Sequence, residues 1–400
     1  MLAGPALATQ GYFPHAFGIK SKGLAGSDVA FAQSAMTIAV NPAGLSDVED
    51  QVNIGVTAFS PHRKFSSTAA ATGSVSSRGQ TSKNTLFAIP NFGISYQIND
   101  RAAVGFALYA AGGMNTEYST SVFGDIGGKT GIDLMQVGLS PAFSYKITDA
   151  VSIGLAPIFS ISRFKAEGLA AFKGNSTDPA NLTNRGYDWA YGFGGRAGIQ
   201  VKPSQAFSFG AYYQSRIYMS KFKKYRGLFA EQGDFDIPAS VGAGVAFKPS
   251  SALTLTGSYK HVWYSKVKSI GNAGSLTGGL GADNGAGFGW KDVDIFAIGA
   301  QYGINDKLTV RAGYSYNNNP IGDSEVMFNI LAPAVLKHHF TGGFSYDISE
   351  RVTLDLAVMY APEGKSQGTV VTNATGATSI QTITDRMWQA EASAGITWKF

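Results

Sequence analysis

The sequence predicts an all-β fold: a transmembrane antiparallel β-barrel of about 14 strands, with an N-terminal hatch, or plug, inside its lumen. Three observations predict it: apolar and polar side chains alternate along the strands, short turns alternate with long polar loops, and the content of charged residues is low. Only 15% of the 400 residues are charged and 50 are glycine, against about 25% and about 7% in ordinary soluble proteins. So little charge would cover a soluble surface poorly, whereas a barrel meets lipid along its outer wall.

The longest candidate for a membrane-spanning helix, residues 29–40, is interrupted by Gln33, Ser34 and Thr37. A spanning helix needs about 20 consecutive apolar residues. Lipid admits only helices and closed barrels as spanning structures, because a backbone group left unpaired in hydrocarbon costs several kcal/mol. A membrane location therefore requires a barrel.

The first fifty residues differ from the rest of the chain. Residues 1–8 are predicted to be a signal-peptide remnant, because Ala6-Leu7-Ala8 is a signal-peptidase type of site; a cytosolic start that contains the same residues is the alternative. Residues 9–50 show no strand alternation. The interior of a wide barrel is too large for wall side chains alone to fill, so we predict that this segment is the hatch. A periplasmic tail is the alternative.

Residues 51–400 carry the strand signal, which is plainest in the last strand. Its apolar face comprises Trp388, Ala390, Ala392, Ala394, Ile396, Trp398 and Phe400, and the residues between them are mostly polar. The ten positions between the two tryptophans cover roughly 25 Å of the membrane normal, at about 3.3 Å per residue and a tilt near 40°. That span is the height of the apolar band between two aromatic girdles.

Turn residues divide the chain into strands. Six short connections lie at 99–100, 148–149, 203–204, 249–250, 305–306 and 349–350, and seven long polar segments lie near 67–84, 115–131, 165–186, 220–236, 270–290, 318–336 and 362–386. Short periplasmic turns and long external loops are typical of outer-membrane barrels. A soluble sandwich, the alternative for alternating strands, has no reason to keep this asymmetry.

Asn41-Pro42-Ala43 closes the hatch segment just before the first strand. Alone, Asn-Pro is only a turn signal. With a hatch before it and about fourteen strands after it, the chain resembles the FadL family (OmpP1/FadL/TodX), which carries Asn-Pro-Ala at the end of its hatch. The opening residues 11–28 are also similar to its shorter members. The resemblance covers the whole chain in architecture, but its specific residues lie within 11–45.

The resemblance implies a location in the outer membrane of a Gram-negative bacterium and passive, gated uptake of long-chain fatty acids or hydrophobic hydrocarbons. Ligands would bind near the external loops and leave sideways through a kink in the third strand. In this sequence that strand is predicted at residues 102–114, and Gly112 and Gly113 would form the kink. Two adjacent glycines that merely end the strand are the alternative.

Ligand-binding residues are predicted from apolar side chains in otherwise polar loops and in the hatch. They are Phe13, Phe17, Leu169, Phe172, Phe222, Leu228 and Phe229. The alternative is that the loop residues only pack on one another. Basic residues 221–226 are expected to meet lipopolysaccharide phosphates, since external loops sit among anionic headgroups. We therefore expect a hydrophobic small-molecule ligand and outer-membrane lipids as partners, and a monomer.

Other functions are less well supported. The five histidines stand in no recognisable Ser-His-Asp setting, so an outer-membrane lipid hydrolase is a weak alternative and we expect no enzyme. With no cysteine, neither disulfides nor thiolate metal sites are available, and neither a metal nor a cofactor is expected. Basic residues are scattered, which argues against nucleic acid. A nonspecific porin is the stronger rival, and a large steady single-channel current would favour it.

Overall fold

Fourteen long antiparallel strands close into a barrel in a computed structural model, which describes residues 9–68, 75–76, 79–124, 128–374 and 377–400. Each strand pairs with the next, and Gln51 in the first lies opposite Lys399 in the last. The strands are β1 Gln51–Ser67, β2 Phe87–Gln97, β3 Ala102–Tyr118, β4 Thr130–Lys146, β5 Val151–Glu167, β6 Asp188–Val201, β7 Phe207–Gln214, β8 Ser240–Phe247, β9 Leu253–Val262, β10 Val293–Gly303, β11 Leu308–Asn317, β12 His338–Asp347, β13 Val352–Ala374 and β14 Ala377–Lys399. The predicted barrel is confirmed.

Side chains alternate across the barrel wall as expected for a pleated strand. In β14, Ile396 and Trp398 are exposed on the outer face, whereas Gln389 and Glu391 are buried on the lumen face. Exposed aromatic and aliphatic side chains recur on the outer face of the other strands, for example Phe193 in β6. The outer wall therefore offers an apolar surface to lipid, and the polar faces of the strands point into the lumen.

The predicted loop at 362–386 is wrong. There β13 and β14 continue as a two-stranded ribbon, with Lys365 opposite Arg386 and Ala374 opposite Ala377. A register shift between Ala361 and Gly364 marks the start of this extension. One face of the ribbon is buried, and polar side chains such as Ser366, Gln381 and Asp385 lie on it. Polar residues therefore occupy both faces, and the apolar alternation that signals a barrel strand disappears. Two further two-residue strands, Gln80–Thr81 and Tyr218–Met219, pair with β1 and β6.

Short helices occur before β1 and in the long loops. The α-helices are Ile19–Gly23, Ala230–Gly233, Lys268–Gly271 and Val326–Asn329, and the 3₁₀ helices are Ala35–Ala39, Pro42–Asp47, Ala170–Asn175, Pro179–Asn181, Lys223–Tyr225, Tyr264–Lys266, Leu276–Gly278 and Asp323–Glu325. Within the described ranges, no helix has the length and apolar character needed to cross a membrane.

The N-terminal segment, residues 9–50, packs against the lumen side of the wall. Its helix Ile19–Gly23 contacts β12 and β13, and the 3₁₀ helix Pro42–Asp47 contacts β4, β5 and β6. Leu24, Ile38 and Leu45 are fully buried. The segment thus touches strands on different sides of the barrel. The predicted signal-peptide remnant, residues 1–8, lies outside the described residues.

Candidate functional site

Asn41 holds the end of the N-terminal segment against the wall. Its side-chain amide donates hydrogen bonds to the carbonyls of Val29 (3.0 Å) and Ile199 in β6 (3.1 Å), and its side-chain oxygen accepts one from the backbone N–H of Ala43 (3.2 Å). Asn41 is 1% exposed. One buried side chain therefore joins two stretches of the segment to the barrel, and Pro42 begins the helix that follows.

The rest of the Asn-Pro-Ala motif lies against glycines of the wall. The Ala43 carbonyl accepts hydrogen bonds from the hydroxyls of Ser144 (2.9 Å) and Ser152 (3.0 Å). A Cβ on Gly154 would lie 2.3 Å from the Ala43 nitrogen, and one on Gly198 would lie 2.0 Å from a side-chain atom of Asn41. Glycine at these two positions allows the close approach of the two backbones.

Asn41→Ala is expected to loosen the N-terminal segment. The change leaves the Val29 and Ile199 carbonyls without their donor, and a buried group without a partner costs about 1–3 kcal/mol. Limited proteolysis should cleave the segment faster, and the midpoint of thermal unfolding followed by circular dichroism should fall. The control is Asn305→Ala, because Asn305 caps a turn outside the lumen. Equal behaviour of the two variants would contradict the anchoring role.

Phe13 and Phe17 line a cavity between the N-terminal segment and the wall. The lining also includes Tyr109, Tyr212, Arg196 and Lys260. The Arg196 guanidinium carbon lies 6.0 Å from the ring centroid of Phe17 and 5.9 Å from that of Tyr109. We call this the lower cavity. It combines aromatic faces with two positive charges.

Neither cation of the lower cavity forms an ion pair within the described part of the chain. Arg196 is 4% exposed; it donates to the carbonyl of Ile38 (3.0 Å) and to the side chain of Gln214. Lys260 is partly buried and donates to the side-chain oxygen of Gln10 (3.2 Å). Buried positive charge without a counter-ion is costly, so this cavity favours an anionic group.

Four of the five predicted loop residues line a second cavity. Leu169, Phe172, Leu228 and Phe229 surround it together with side chains of the later loops, including Phe288 and Phe328. We call this the upper cavity. Its free volume is about 40 Å³, far below the roughly 300 Å³ of an ordinary ligand pocket, so a long ligand must displace loop side chains to enter. Phe222 is not among its lining residues: it is fully buried and packs on Phe164, with ring centroids 5.6 Å apart.

A row of aromatic rings joins the two cavities. Phe229 of the upper cavity packs on Phe235 (4.8 Å between ring centroids), Phe235 on Tyr12 (6.0 Å), and Tyr12 on Phe13 of the lower cavity (5.2 Å). Tyr264 also packs on Tyr12, and its hydroxyl donates to the carbonyl of Gln10 (2.6 Å). Phe13 therefore lines the lower cavity, and Tyr12 connects it through Phe235 to Phe229 of the upper cavity.

The third strand loses its partner on one side. β3 pairs with β2 only from Ala103 to Leu108, although β3 continues to Tyr118 and β2 begins at Phe87. A register shift against β4 lies between Ala110 and Gly112. Beyond this shift, β3 is buried almost without interruption. The wall therefore has a stretch between β2 and β3 without a hydrogen-bonded ladder, which we call the seam.

Gly112 and Gly113 lie inside β3 and not at its end, so the alternative that they merely terminate the strand is wrong. The backbone N–H of Gly113 donates to the carbonyl of Tyr12 (3.0 Å). A Cβ on Gly112 would lie 2.6 Å from the ring of Tyr12. On the edge of the seam, Phe59, Phe87, Ile89 and Ala110 form a small apolar cluster of their own.

Sequence reasoning did not identify Arg196, Lys260, Phe288 and Phe328. The two cations stand on strands where a charged residue on the lumen face is ordinary, so their lack of a counter-ion is visible only in three dimensions. The two phenylalanines belong to polar loops, as the predicted residues do, and the same signal would have found them. No group of three or more His, Cys, Asp or Glu side chains suited to a metal ion occurs among the described residues.

A protein-family model described as outer membrane protein transport protein (OMPP1/FadL/TodX) matches residues 11–397. Outer membrane protein P1 of Haemophilus influenzae is 22% identical over 386 residues, which are 83% of this chain and 81% of that protein. The long-chain fatty acid transport protein of Escherichia coli K12 is 24% identical over 316 residues, 68% of this chain and 70% of that protein.

Two solved structures share the fold. The Pseudomonas putida toluene transporter TodX superposes with a TM-score of 0.71 at 19% identity, covering 96% of this chain and 99% of that one. A Pseudomonas aeruginosa FadL homologue superposes with a TM-score of 0.75 at 16% identity, covering 98% of this chain and 100% of that one. At these identities the likeness concerns the fold alone.

Proposed function

Since the chain belongs to the outer membrane protein transport protein family (OMPP1/FadL/TodX) and lies in the outer membrane of a Gram-negative bacterium, we propose that it performs passive, gated uptake of long-chain fatty acids. In this proposal residues 9–50 are the hatch, and the two cavities and the seam form the path. The relatives transport fatty acids in one case and toluene in another, so this chain's own residues must decide the substrate class.

The observation that carries the proposal is the lower cavity, where Arg196 and Lys260 have no counter-ion among the described residues. A neutral hydrocarbon leaves both charges uncompensated. A carboxylate can accept charge-assisted hydrogen bonds from both, which are about twice as strong as neutral ones. The aromatic faces of Phe13, Phe17 and Tyr109 would hold the methylene chain. The lining of the cavity therefore suits an anion with an apolar tail, and its free volume of about 20 Å³ means that side chains must move before such a ligand enters.

The proposed path begins at the upper cavity, where the loop residues collect the ligand from outside. It continues along the ring row to the lower cavity and leaves through the seam into the membrane, with Gly112 and Gly113 forming the kink. A sideways exit is favourable because each CH₂ kept out of periplasmic water contributes about 0.8 kcal/mol. Tyr12 would act as the gate, since it contacts the ring row and bonds to Gly113.

The proposal extends to the external basic residues and to the assembly state. Lys223 and Lys224 lie in an exposed loop, where they would meet phosphates of lipopolysaccharide. The barrel closes on itself through β1 and β14, so a monomer suffices for the proposed path.

The experiment compares uptake of a labelled long-chain fatty acid, its methyl ester and toluene in cells that depend on this protein for entry. The ester keeps the tail and removes the charge. We expect the fatty acid to enter fastest and the ester not to compete with it. Faster entry of toluene would overturn the proposed substrate class. Entry of small hydrophilic sugars, together with a large steady current, would favour a porin.

A further inference from the structure

Four ionisable side chains meet where the hatch touches β12 and β14. Lys22 of the hatch forms an ion pair with Glu391 of β14. The Nδ1 atom of His15 lies 3.5 Å from the other carboxylate oxygen of Glu391. The ring of His15 stacks on that of His339 in β12, with centroids 6.5 Å apart and planes 12° apart. We call these four residues the histidine cluster.

The histidine cluster is shielded from water. The side chains of His15, Lys22 and Glu391 are 0%, 7% and 1% exposed, and His339 is fully buried. Neither ring nitrogen of His339 has a hydrogen-bond partner in the part of the chain that the structure describes. These contacts join the first part of the hatch to the wall opposite the strands that hold Asn41.

The charges of the cluster balance only while both imidazoles are neutral. Glu391 offers one negative charge and Lys22 already neutralises it. A proton on either histidine adds positive charge to a buried site, and the adjacent His338 is a base that offers His339 no negative charge. Buried charge without a partner is strongly destabilising. The next ion pair of the hatch, Lys20 with Asp355, is already balanced.

We propose that the histidine cluster is a pH-sensitive latch, in which protonation of His15 and His339 detaches the first part of the hatch from β12 and β14. This concerns how the hatch is held, so it does not depend on the charge of the transported molecule. Detachment would move His15 and, with it, the neighbouring Phe13 and Phe17 of the lower cavity. External acidity would thereby change access to the path.

The direction of the effect follows from burial. Burial lowers the pKa of His15 below its ordinary value of 6.5, whereas a released His15 regains that value. The released form therefore binds the proton more strongly, and docking is complete above pH 6.5 and is lost as the pH falls below it. From pH 7.5 to 5.5, each such histidine would shift the equilibrium toward release by up to about tenfold.

Asp28 acts in the opposite direction. Burial raises the pKa of this hatch carboxyl to about 6, against a lowering effect of the hydrogen bond from Ser21 and of Arg311. Its docked form binds the proton more strongly, so acid favours docking by about fourfold over the same pH range. Asp28→Asn should therefore increase the release by acid. The histidine contribution is isolated by comparing variants at His15 and His339.

The test uses accessibility of a single cysteine, since the chain has none of its own. Ala16→Cys places a thiol beside His15 at a position that is 5% exposed. The rate at which a charged maleimide alkylates this cysteine is divided by the rate for Glu350→Cys, a cysteine in an exposed turn. The ratio of the two rates corrects for the effect of pH on thiol ionisation. From pH 7.5 to 5.5 the ratio should rise about tenfold. In a variant with both His15→Gln and His339→Gln it should not rise, and it should fall by up to about fourfold because Asp28 still titrates.

His62→Gln is the matched control, because His62 stacks on Trp388 outside the lumen; it should keep the full response to acid. Glu391→Gln leaves Lys22 unpaired and should raise the accessibility already at pH 7.5. Circular dichroism confirms that each barrel is folded. An unchanged ratio in the wild type, an equal rise in the double histidine variant, or no effect of Glu391→Gln in a folded barrel would each overturn the proposal.

Discussion

Replacing Arg196 and Lys260 together by glutamine is expected to abolish uptake of long-chain fatty acids at low ligand concentration. Each cation would contribute a hydrogen bond to a charged group, about 1.5–3 kcal/mol, so each single variant should weaken binding by about 10- to 150-fold. Glutamine keeps much of the length and polarity of both side chains. The loss would therefore report the charge and not the packing of the cavity.

The readouts are the affinity for the fatty acid, from titration of the purified barrel, and the initial rate of uptake. The methyl ester should bind the wild type and the double variant equally. The control pair is Arg163→Gln with Lys165→Gln, an arginine and a lysine that are ion-paired with Asp133 and Glu167. If the control pair lowers uptake as much as the replacement of Arg196 and Lys260 does, the proposed carboxylate site is wrong. An unaltered affinity for the fatty acid in the double variant of Arg196 and Lys260 would also contradict the proposed carboxylate site.

A covalent bridge across the seam is expected to stop transport after the ligand has bound. Ile89→Cys and Ala110→Cys place thiols on β2 and β3 within one apolar cluster, and the chain offers no competing cysteine. Under oxidising conditions, uptake should fall to the level of cells without the protein, while the affinity of the purified barrel for the fatty acid stays unchanged. A reductant should restore transport.

The control is a disulfide between two strands that are already joined by hydrogen bonds. Ala58→Cys on β1 and Ala392→Cys on β14 are direct partners in the ladder, so a bridge there should leave uptake unchanged. Full transport through the oxidised Ile89–Ala110 variant would exclude a sideways exit between β2 and β3. Inhibition by both bridges would point to a general effect of cross-linking.

Strand number could be predicted because short turns alternate with long loops along the chain, and wall orientation because several strands show period-two alternation of apolar and polar residues. The last strand shows why: Trp388 and Trp398 mark one face, and the polar residues between them can face only the lumen. The alternation of apolar and polar residues failed to predict the strands beyond Ala361, where β13 and β14 extend out of the barrel and neither face contacts lipid. The pattern of apolar side chains identifies a strand in lipid, and it does not identify the ribbon because polar side chains such as Gln381 and Asp385 lie even on its buried face.

The site could be predicted in part. Apolar residues in polar loops led to Leu169, Phe172, Leu228 and Phe229, because exposed phenylalanine is unfavourable wherever a loop stays in water. Phe222 obeys the same rule but packs behind the cavity, and composition cannot distinguish the two. Arg196 and Lys260 line the same cavity only because β6 and β9, which are far apart in sequence, face the same part of the lumen. No local sequence pattern predicts that these two side chains lie in one cavity.

The seam has a consequence for the backbone polar groups of the wall at membrane depth. Ala88 of β2 is level with Ala58 and Ala392, between the rows of Trp388 and Trp398, so the missing ladder lies at the depth of the hydrocarbon. Backbone groups there cost several kcal/mol each when they are dry. Pro90 has no N–H to leave unpaired. On β3, the N–H of Gly113 donates to the carbonyl of Tyr12, and the guanidinium of Arg63 donates to the carbonyl of Asn115. The N-terminal segment and a side chain of the wall thus take the place of the missing strand partner, and the proposed sideways exit would require these hydrogen bonds to be exchanged.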